Sequence, residues 1–177
     1  DRRLLVESTM ISKNLEDRAW YRQAINQWLL EQNIEIEEHV GEEIGVIPMH
    51  AVLPVDTGIA AIGAASGAVR PSSGYAFTGI QAQIAQLAEG ISVGQYSVPN
   101  PITPTLIRMD KIFNGVLMAQ PELGVSLMMR TAKALDADGF ARFMLGCATT
   151  MDWTKVIVAM PKIPFLKQVF RLCLSGT

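Results

Sequence analysis

The segment that most clearly suggests chemistry spans residues 63–75 and reads GAASGAVRPSSGY. Four of its first five residues carry at most a methyl group, so a ligand could approach the main chain closely: Gly63, Ala64, Ala65 and Gly67. Ser72 or Ser73 is predicted to cap a following helix, whose N–H groups and positive dipole end favour an anionic or electron-rich group. From the residues alone, the segment is equally typical of a tight turn that holds no ligand.

A second candidate for chemistry is Glu7, which lies in the mostly apolar run of residues 4–9. This run is predicted to form a strand, in which Leu5, Glu7 and Thr9 share one face. A carboxyl group among apolar neighbours is disfavoured in its charged form, and it is then able to donate a proton. The alternative from the residues alone is a solvated glutamate at a sheet edge.

Metal and disulfide chemistry are not indicated by the sequence. The only cysteines are Cys147 and Cys173, and neither His39 nor His50 has partners at metal-ligand spacing. We expect His39 to be solvated and His50 to be a hydrogen-bonded core residue. The cysteine usage favours a reducing compartment.

The elements that would position these residues form a mixed pattern. Helices are predicted at 15–31 and 73–89, and strands at 4–9, 34–40, 44–53 and 58–62. After a proline-rich loop at 98–104 the pattern is helical, with helices predicted at 106–119, 121–135, 138–145, 151–160 and 164–172. The sequence therefore predicts the α/β fold class (an α+β fragment), with an α/β domain at 1–96 and a helical lobe at 97–177.

Composition and charge narrow the possible partners. The 177 residues are 49% hydrophobic and 18% charged, and the net charge of −2 gives no case for nucleic acid. Residues 153–177 contain four bases and no acid, which is typical of an interfacial helix on anionic lipid or of a capping helix with solvated lysines. There is no run of 18 apolar residues.

Several segments resemble lycopene cyclases of the flavoprotein type. GAASGAVRPSSGY is similar to their second flavin-contacting segment, and LVEST at 5–9 is similar to their glutamate-containing strand motif. EEIGVIPM at 42–49 resembles the strand pair before the flavin turn. LDADGFARFMLG at 135–146 and PKIPFL at 161–166 follow the bacterial members. The resemblance covers nearly the whole chain and indicates the C-terminal portion of a bacterial lycopene β-cyclase.

The resemblance implies a cofactor and a fold. It implies reduced FAD, with NAD(P)H as the reductant of the flavin, on an FAD-dependent Rossmann-type flavoprotein fold with a helical C-terminal lobe. Because no G-x-G-x-x-G follows a predicted strand, we expect the nucleotide-binding half to precede these residues, and the fragment alone to be inactive. The cofactor-binding residues that the resemblance implies are Gly63, Ala64, Ala65, Gly67, Pro71, Ser72, Ser73, Gly74 and Tyr75.

The resemblance also implies a reaction, the acid-initiated, non-redox cyclisation of lycopene ends to β-ionone rings in carotenoid biosynthesis. The enzyme class is isomerase (intramolecular lyase), and the implied catalytic acid is Glu7. Two positions depart from the family: Arg70 stands where His is frequent, and Ser8 where a second acid is frequent. Since arginine does not lose its proton at ordinary pH, Arg70 either changes a proton transfer or offers positive charge near the flavin.

The implied partners are lycopene and a membrane surface, with a cytoplasmic location, peripheral on the inner membrane face. Two alternatives remain open from the sequence. One is a related flavin-dependent oxidoreductase, such as a geranylgeranyl reductase or a hydroxylase. The other is an inactive fragment that adsorbs to membranes and binds carotenoid or a partner without turnover.

Overall fold

The computed structural model describes residues 3–12, 14–50 and 60–174. The chain divides into two compact units, Asp1–Val46 and Ile47–Thr177, and each is described by itself. Throughout the described ranges the regular structure is helical, and no strand is formed there. The predicted division of the chain between residues 96 and 97 stays a prediction.

The predicted α/β fold class, and with it the Rossmann-type flavoprotein fold, is therefore wrong for the residues that the structure describes. The segments at 4–9, 34–40 and 44–50 are irregular, and so are residues 60–62; residues 51–59 lie outside the described ranges. Alternating or continuous apolar residues stabilise a strand only when a neighbouring strand pairs with it and a core covers one face. Here Leu5 and Val40, which lie in two of these segments, are exposed.

Among its described residues, unit 1 contains one helix, α1, Arg18–Glu31. Asp17 caps this helix by accepting a hydrogen bond from the main-chain N–H of Trp20 at 2.8 Å. Arg22 and Arg18 of α1 both donate to Glu42, and these hydrogen bonds lower the pKa of the Glu42 carboxyl to about 2.

The described residues of unit 2 form a bundle of six helices with two short 3₁₀ segments, Gly63–Ser66 and Pro121–Leu123. The helices are α2 Phe77–Ser92, α3 Pro104–Ala119, α4 Gly124–Ala134, α5 Ala137–Met144, α6 Thr150–Ala159 and α7 Lys162–Leu174. The helical pattern predicted after residue 104 is confirmed, since each predicted helix is present with its ends displaced by a few residues.

Side-chain caps explain why α3, α5 and α6 begin where they do. Thr103 accepts a hydrogen bond from the N–H of Leu106, and Asp136 accepts one from Gly139 at 2.7 Å. Thr149 and Asp152 form a reciprocal capping box at the start of α6. Each cap satisfies N–H groups that the first helical turn leaves without partners.

The hydrophobic core of unit 2 joins α3, α4 and α6. Its fully buried centre is Leu127 on α4. Around it lie Val116, Leu117, Leu135, Val156 and Met160, with several aromatic rings packed against them. Burial of these side chains is the main favourable term that holds the helices together.

Candidate functional site

Residues 63–67, which we call the small-residue turn, form one turn of 3₁₀ helix that ends in a left-handed glycine. Gly63 and Gly67 have φ angles of 72° and 86°, which glycine adopts without steric cost. The N–H of Gly67 donates to the oxygen of Ala64, and the N–H of Ala68 donates to that of Gly63. These two bonds close the segment on itself, as at the C-terminal end of a helix. The predicted turn is therefore present.

Gln83, on α2, holds the small-residue turn in place through hydrogen bonds of its side chain. It is fully buried, and its Oε1 atom accepts a hydrogen bond from the N–H of Gly63 at 2.7 Å. Its Nε2 atom donates to Ser66 Oγ at 2.7 Å and to the oxygen of Pro99 at 2.9 Å. Ser66 Oγ donates in turn to the oxygen of Gly63 at 2.8 Å. The buried polar groups on this side of the turn are thus mutually satisfied.

Arg70 fixes the chain just before Pro71, and it is only 4% exposed. Its Nε and Nη2 atoms donate to the two carboxylate oxygens of Asp110 at 3.2 and 3.3 Å. Its Nη1 atom donates to the main-chain oxygens of Phe143 and Met144, at the end of α5. The guanidinium carbon lies 4.9 Å from the centre of the Phe143 ring.

The charge of Arg70 is balanced inside the protein. Asp110 is 2% exposed, and it also accepts a hydrogen bond from the N–H of Ser72 at 3.3 Å. All three side-chain nitrogens of Arg70 are engaged with protein acceptors. In this structure, the Arg70 side chain therefore links the main chain just before Pro71 to α3 and to the end of α5.

Residues 70–75 form a second closed turn. The oxygen of Arg70 accepts from the N–H of Gly74 at 2.8 Å, and the N–H of Arg70 donates to the oxygen of Tyr75 at 2.9 Å. Gly74 has a φ of 68°, and a Cβ atom there would lie 2.2 Å from Ile47 Cγ2. Asn114 on α3 adds a bond from Nδ2 to the oxygen of Pro71 at 2.8 Å.

The predicted helix cap is wrong. The helix α2 begins at Phe77 after Ala76, which provides no side-chain cap, rather than near Ser73. Ser73 Oγ instead accepts a hydrogen bond from the N–H of Tyr75. The left-handed Gly74 between the serines and α2 ends any continuation of helical geometry, so the serines fall in the turn.

The predicted cofactor-binding residues differ in their exposure. Gly63 and Pro71 are buried; Gly67, Ser72 and Gly74 are half-buried; Ala64, Ala65, Ser73 and Tyr75 are exposed. The structure brings all nine together on the two consecutive turns.

The two turns expose small side chains on one side. On the open side of the small-residue turn, Ala64 and Ala65 present only methyl groups, so a ring could reach the main chain there. The first turn of α2 has no side-chain cap, which suits a ligand edge that accepts hydrogen bonds. These features are compatible with the flavin that the sequence implied, and flavin binding stays a prediction.

Glu7 lies in unit 1, in a different environment from the one predicted. It is exposed, and its Oε1 atom accepts a hydrogen bond from Thr9 Oγ1. Its neighbour Leu5 is 91% exposed, and the segment forms no strand. The apolar surroundings that would favour a protonated carboxyl are not supplied by the described residues of this segment. Its role as the acid stays a prediction.

Sequence reasoning missed three residues that hold the site together, Gln83, Asp110 and Asn114. Gln83 and Asp110 lie on largely apolar stripes of their helices: Gln83 is in register with Ile80 and Leu87, and Asp110 with Leu106 and Leu117. A polar side chain on such a stripe is buried on folding and needs a partner, which is the signal that could have found them.

Asp152 links α6 to α5 through Arg142, the residue before Phe143. Its carboxylate accepts two hydrogen bonds from Arg142, both 3.0 Å long, and others from the N–H and hydroxyl of Thr149. The hydrogen bonds from Arg142, followed by those from Thr149, hold the pKa of the Asp152 carboxyl well below its usual range. The same ion pair raises the pKa of Arg142.

The two histidines are weaker candidates for a functional role than the residues of the two turns. His39 is exposed, as predicted, whereas His50 is exposed and not the core residue that the sequence suggested. Within the described ranges, no group of three or more His, Cys, Asp and Glu side chains could hold a metal ion. Nor does any helix in those ranges have the length and apolar character needed to cross a membrane.

Comparison with known proteins gives one match. The family model described as "Lycopene cyclase protein" matches residues 1–169, a range that includes both Glu7 and the two turns. No curated protein matches the chain, and no solved structure does.

Proposed function

Because the chain belongs to the lycopene cyclase family, we propose that it acts in the closure of β-rings on lycopene. The family match supports a lycopene cyclase-like function in carotenoid biosynthesis. The observation that carries the finer proposal is that one match spans both the Glu7 segment and the two turns.

The proposed reaction is an isomerisation started by an acid. A proton is added at the terminal C1=C2 double bond of the acyclic end group, which leaves a tertiary cation. The C5=C6 bond attacks this cation and closes a six-membered ring, and loss of the C6 proton gives the β-ring. One proton enters and one leaves, so no reducing equivalent is consumed.

Glu7 is the proposed proton donor, or the group that takes the proton back. In the chain as described it is exposed, with Thr9 as its hydrogen-bond donor. The proposal therefore requires the hydrocarbon substrate to cover Glu7, because removal of water disfavours the carboxylate and favours the acid form. Ser8 next to it offers no second carboxyl, so a single acid must serve.

The two turns are the proposed contact for the flavin ring, through the nine residues named above. Gln83 and the Arg70–Asp110 ion pair hold these turns before any ligand arrives, so little ordering remains for the binding step. When bound, reduced FAD would supply an electron-rich face that stabilises the cation, and NAD(P)H would serve to keep it reduced. Since the sequence contains no G-x-G-x-x-G, we propose that residues outside these 177 bind the nucleotide end.

The test is anaerobic incubation of the full-length protein with lycopene and reduced FAD in deuterated water. We expect β-ring products that each retain one new deuterium per ring, with the flavin still reduced at the end. The flavin spectrum and the mass of the product are the two readouts. Oxidation of flavin in proportion to product would replace the cyclase with a flavin-dependent reductase. Absence of product together with absence of flavin binding would leave the inactive, membrane-adsorbing protein.

A further inference from the structure

The C-terminal helix α7 is apolar on two opposite sides. Its inner side packs against α3, where the Phe165 ring lies 6.4 Å from that of Phe113. The Gln168 side chain fits so closely over Gly115 that a Cβ atom there would lie 2.0 Å from Nε2. This side is therefore committed to the bundle.

The outer side of α7 carries a continuous apolar stripe that the bundle leaves uncovered. Leu166 and Phe170 are 55% and 67% exposed, and Ile163 and Leu174 are more exposed still. The spacings of three, four and four residues place all four side chains on one face of the helix. At 100° per residue, these four side chains lie roughly 120–160° around the helix from Gln168.

Basic side chains border this stripe, and acids are missing from the neighbourhood in sequence. Lys167 and Arg171 flank the stripe on one side, and both are exposed. Lys162 lies towards the other flank, where its Nζ atom donates to the oxygens of Ile157 and Val158. Residues 153–177 contain no Asp or Glu, although the chain as a whole has a net charge of −2.

We propose that the outer face of α7 lies on an anionic lipid surface, with the stripe of Ile163, Leu166, Phe170 and Leu174 inserted between the headgroups. An apolar face with basic flanks and no acids is the pattern of helices that lie in the plane of a membrane. A second copy of the chain fits less well, because self-pairing of this face brings bases towards bases with no acid from α7 to balance them. The proposal does not rest on the cyclase reaction.

The test is co-sedimentation of the 177-residue chain with large vesicles of phosphatidylcholine alone or mixed with phosphatidylglycerol, without flavin or carotenoid. We expect binding to the mixed vesicles that weakens as salt is added, and weaker binding to phosphatidylcholine. Leu166→Ser with Phe170→Ser should reduce the partition coefficient at least about tenfold. Lys167→Gln with Arg171→Gln should reduce it roughly fivefold for each charge removed, and only on the anionic vesicles.

The matched control changes an exposed apolar pair with the same spacing on another helix, Val125→Ser with Met129→Ser on α4. It should leave binding unchanged. Equal losses from the α4 and α7 pairs, or binding that ignores the phosphatidylglycerol content, would overturn the proposal. So would a dimer in solution that the α7 pair dissociates, since a second copy would then cover the stripe. Failure of this test leaves the cyclase assay unaffected, because that assay measures product and flavin.

Discussion

The two segments that carry the predicted chemistry are held in the chain in opposite ways. The segment 63–75 is fixed by Gln83, by the Arg70–Asp110 ion pair and by Asn114, all reaching it from the helices α2 and α3. The segment 4–9 has a hydrogen bond within itself, between Thr9 and Glu7, and its side chains are largely exposed.

The difference indicates how each segment would acquire the geometry that its proposed role needs. The turns are organised by the chain's own buried contacts, so a ligand finds them already formed. The Glu7 segment lacks such contacts among the described residues, so the acid role proposed for Glu7 requires surroundings that substrate or other residues would supply. Mutations of the residues that hold the segment 63–75 should therefore lower stability. Mutation of Glu7 should instead lower activity without a change in stability.

The largest expected effect is the loss of ring closure in Glu7→Gln. Because the amide cannot donate an acidic proton, we expect activity of the full-length enzyme to fall roughly a hundred- to ten-thousand-fold. The melting temperature should not change, since Glu7 is exposed. The flavin-bound enzyme is assayed, and its product is measured by chromatography. Thr9→Val is the control and should retain most activity; unchanged ring formation in Glu7→Gln removes this residue from the mechanism.

The next effect is on stability, and it concerns the buried ion pair. Asp110→Asn leaves the Arg70 guanidinium buried without its counter-charge, which we expect to cost about 3–5 kcal/mol of the free energy of unfolding. Urea unfolding of the chain measures it. Replacement of both partners, Arg70→Met with Asp110→Leu, should recover much of that loss, because no uncompensated charge remains. A double variant as unstable as Asp110→Asn would show that the pair does more than cancel charge.

A smaller loss of stability is expected from Gln83→Met. The side chain keeps its volume but removes the hydrogen bonds that Gln83 makes with the N–H of Gly63, with Ser66 Oγ and with the oxygen of Pro99. We expect a cost of about 2–3 kcal/mol. Hydrogen exchange should report the loss at the N–H of Gly63 first. Gln81→Met, on the exposed side of the same helix, should change the free energy of unfolding little. Equal losses at the two positions would contradict the role of Gln83 in holding the turn.

The smallest effect is a dependence on acid. The folded-state pKa of Asp152 is depressed, so its contribution to stability is fully present above the unfolded value of about 4 and disappears as the pH falls through the folded value. Asp152→Asn should remove this part of the acid dependence, measured as urea midpoints across pH. The part due to the more exposed Glu42 should be screened by salt, whereas that of Asp152 should persist. Identical acid profiles for Asp152→Asn and the unaltered chain would refute the assignment.

The sequence predicted the helices of unit 2 correctly, whereas the described residues of the predicted strands form no strand. Helices such as α3 and α6 are predicted from local features of the sequence, namely apolar spacing and capping residues such as Thr103 and Thr149. The predicted strand at 34–40 has alternating apolar residues and that at 4–9 is mostly apolar, but a strand is completed by hydrogen bonds to a partner that can lie anywhere in the chain. That information is absent from a local pattern, and the described residues provide no such partner.

What the sequence determined by itself was local: a turn at 63–67 that needs glycine at its left-handed ends, and helices whose caps and apolar faces are written within a few residues. Only the tertiary structure decided which polar groups far apart in the sequence bond to each other. Arg70 pairs with Asp110, forty positions later, and the N–H of Gly63 donates to Gln83. The physical reason is that backbone preferences and capping act between neighbours. A buried charge or amide instead takes whichever partner the packed helices bring within reach.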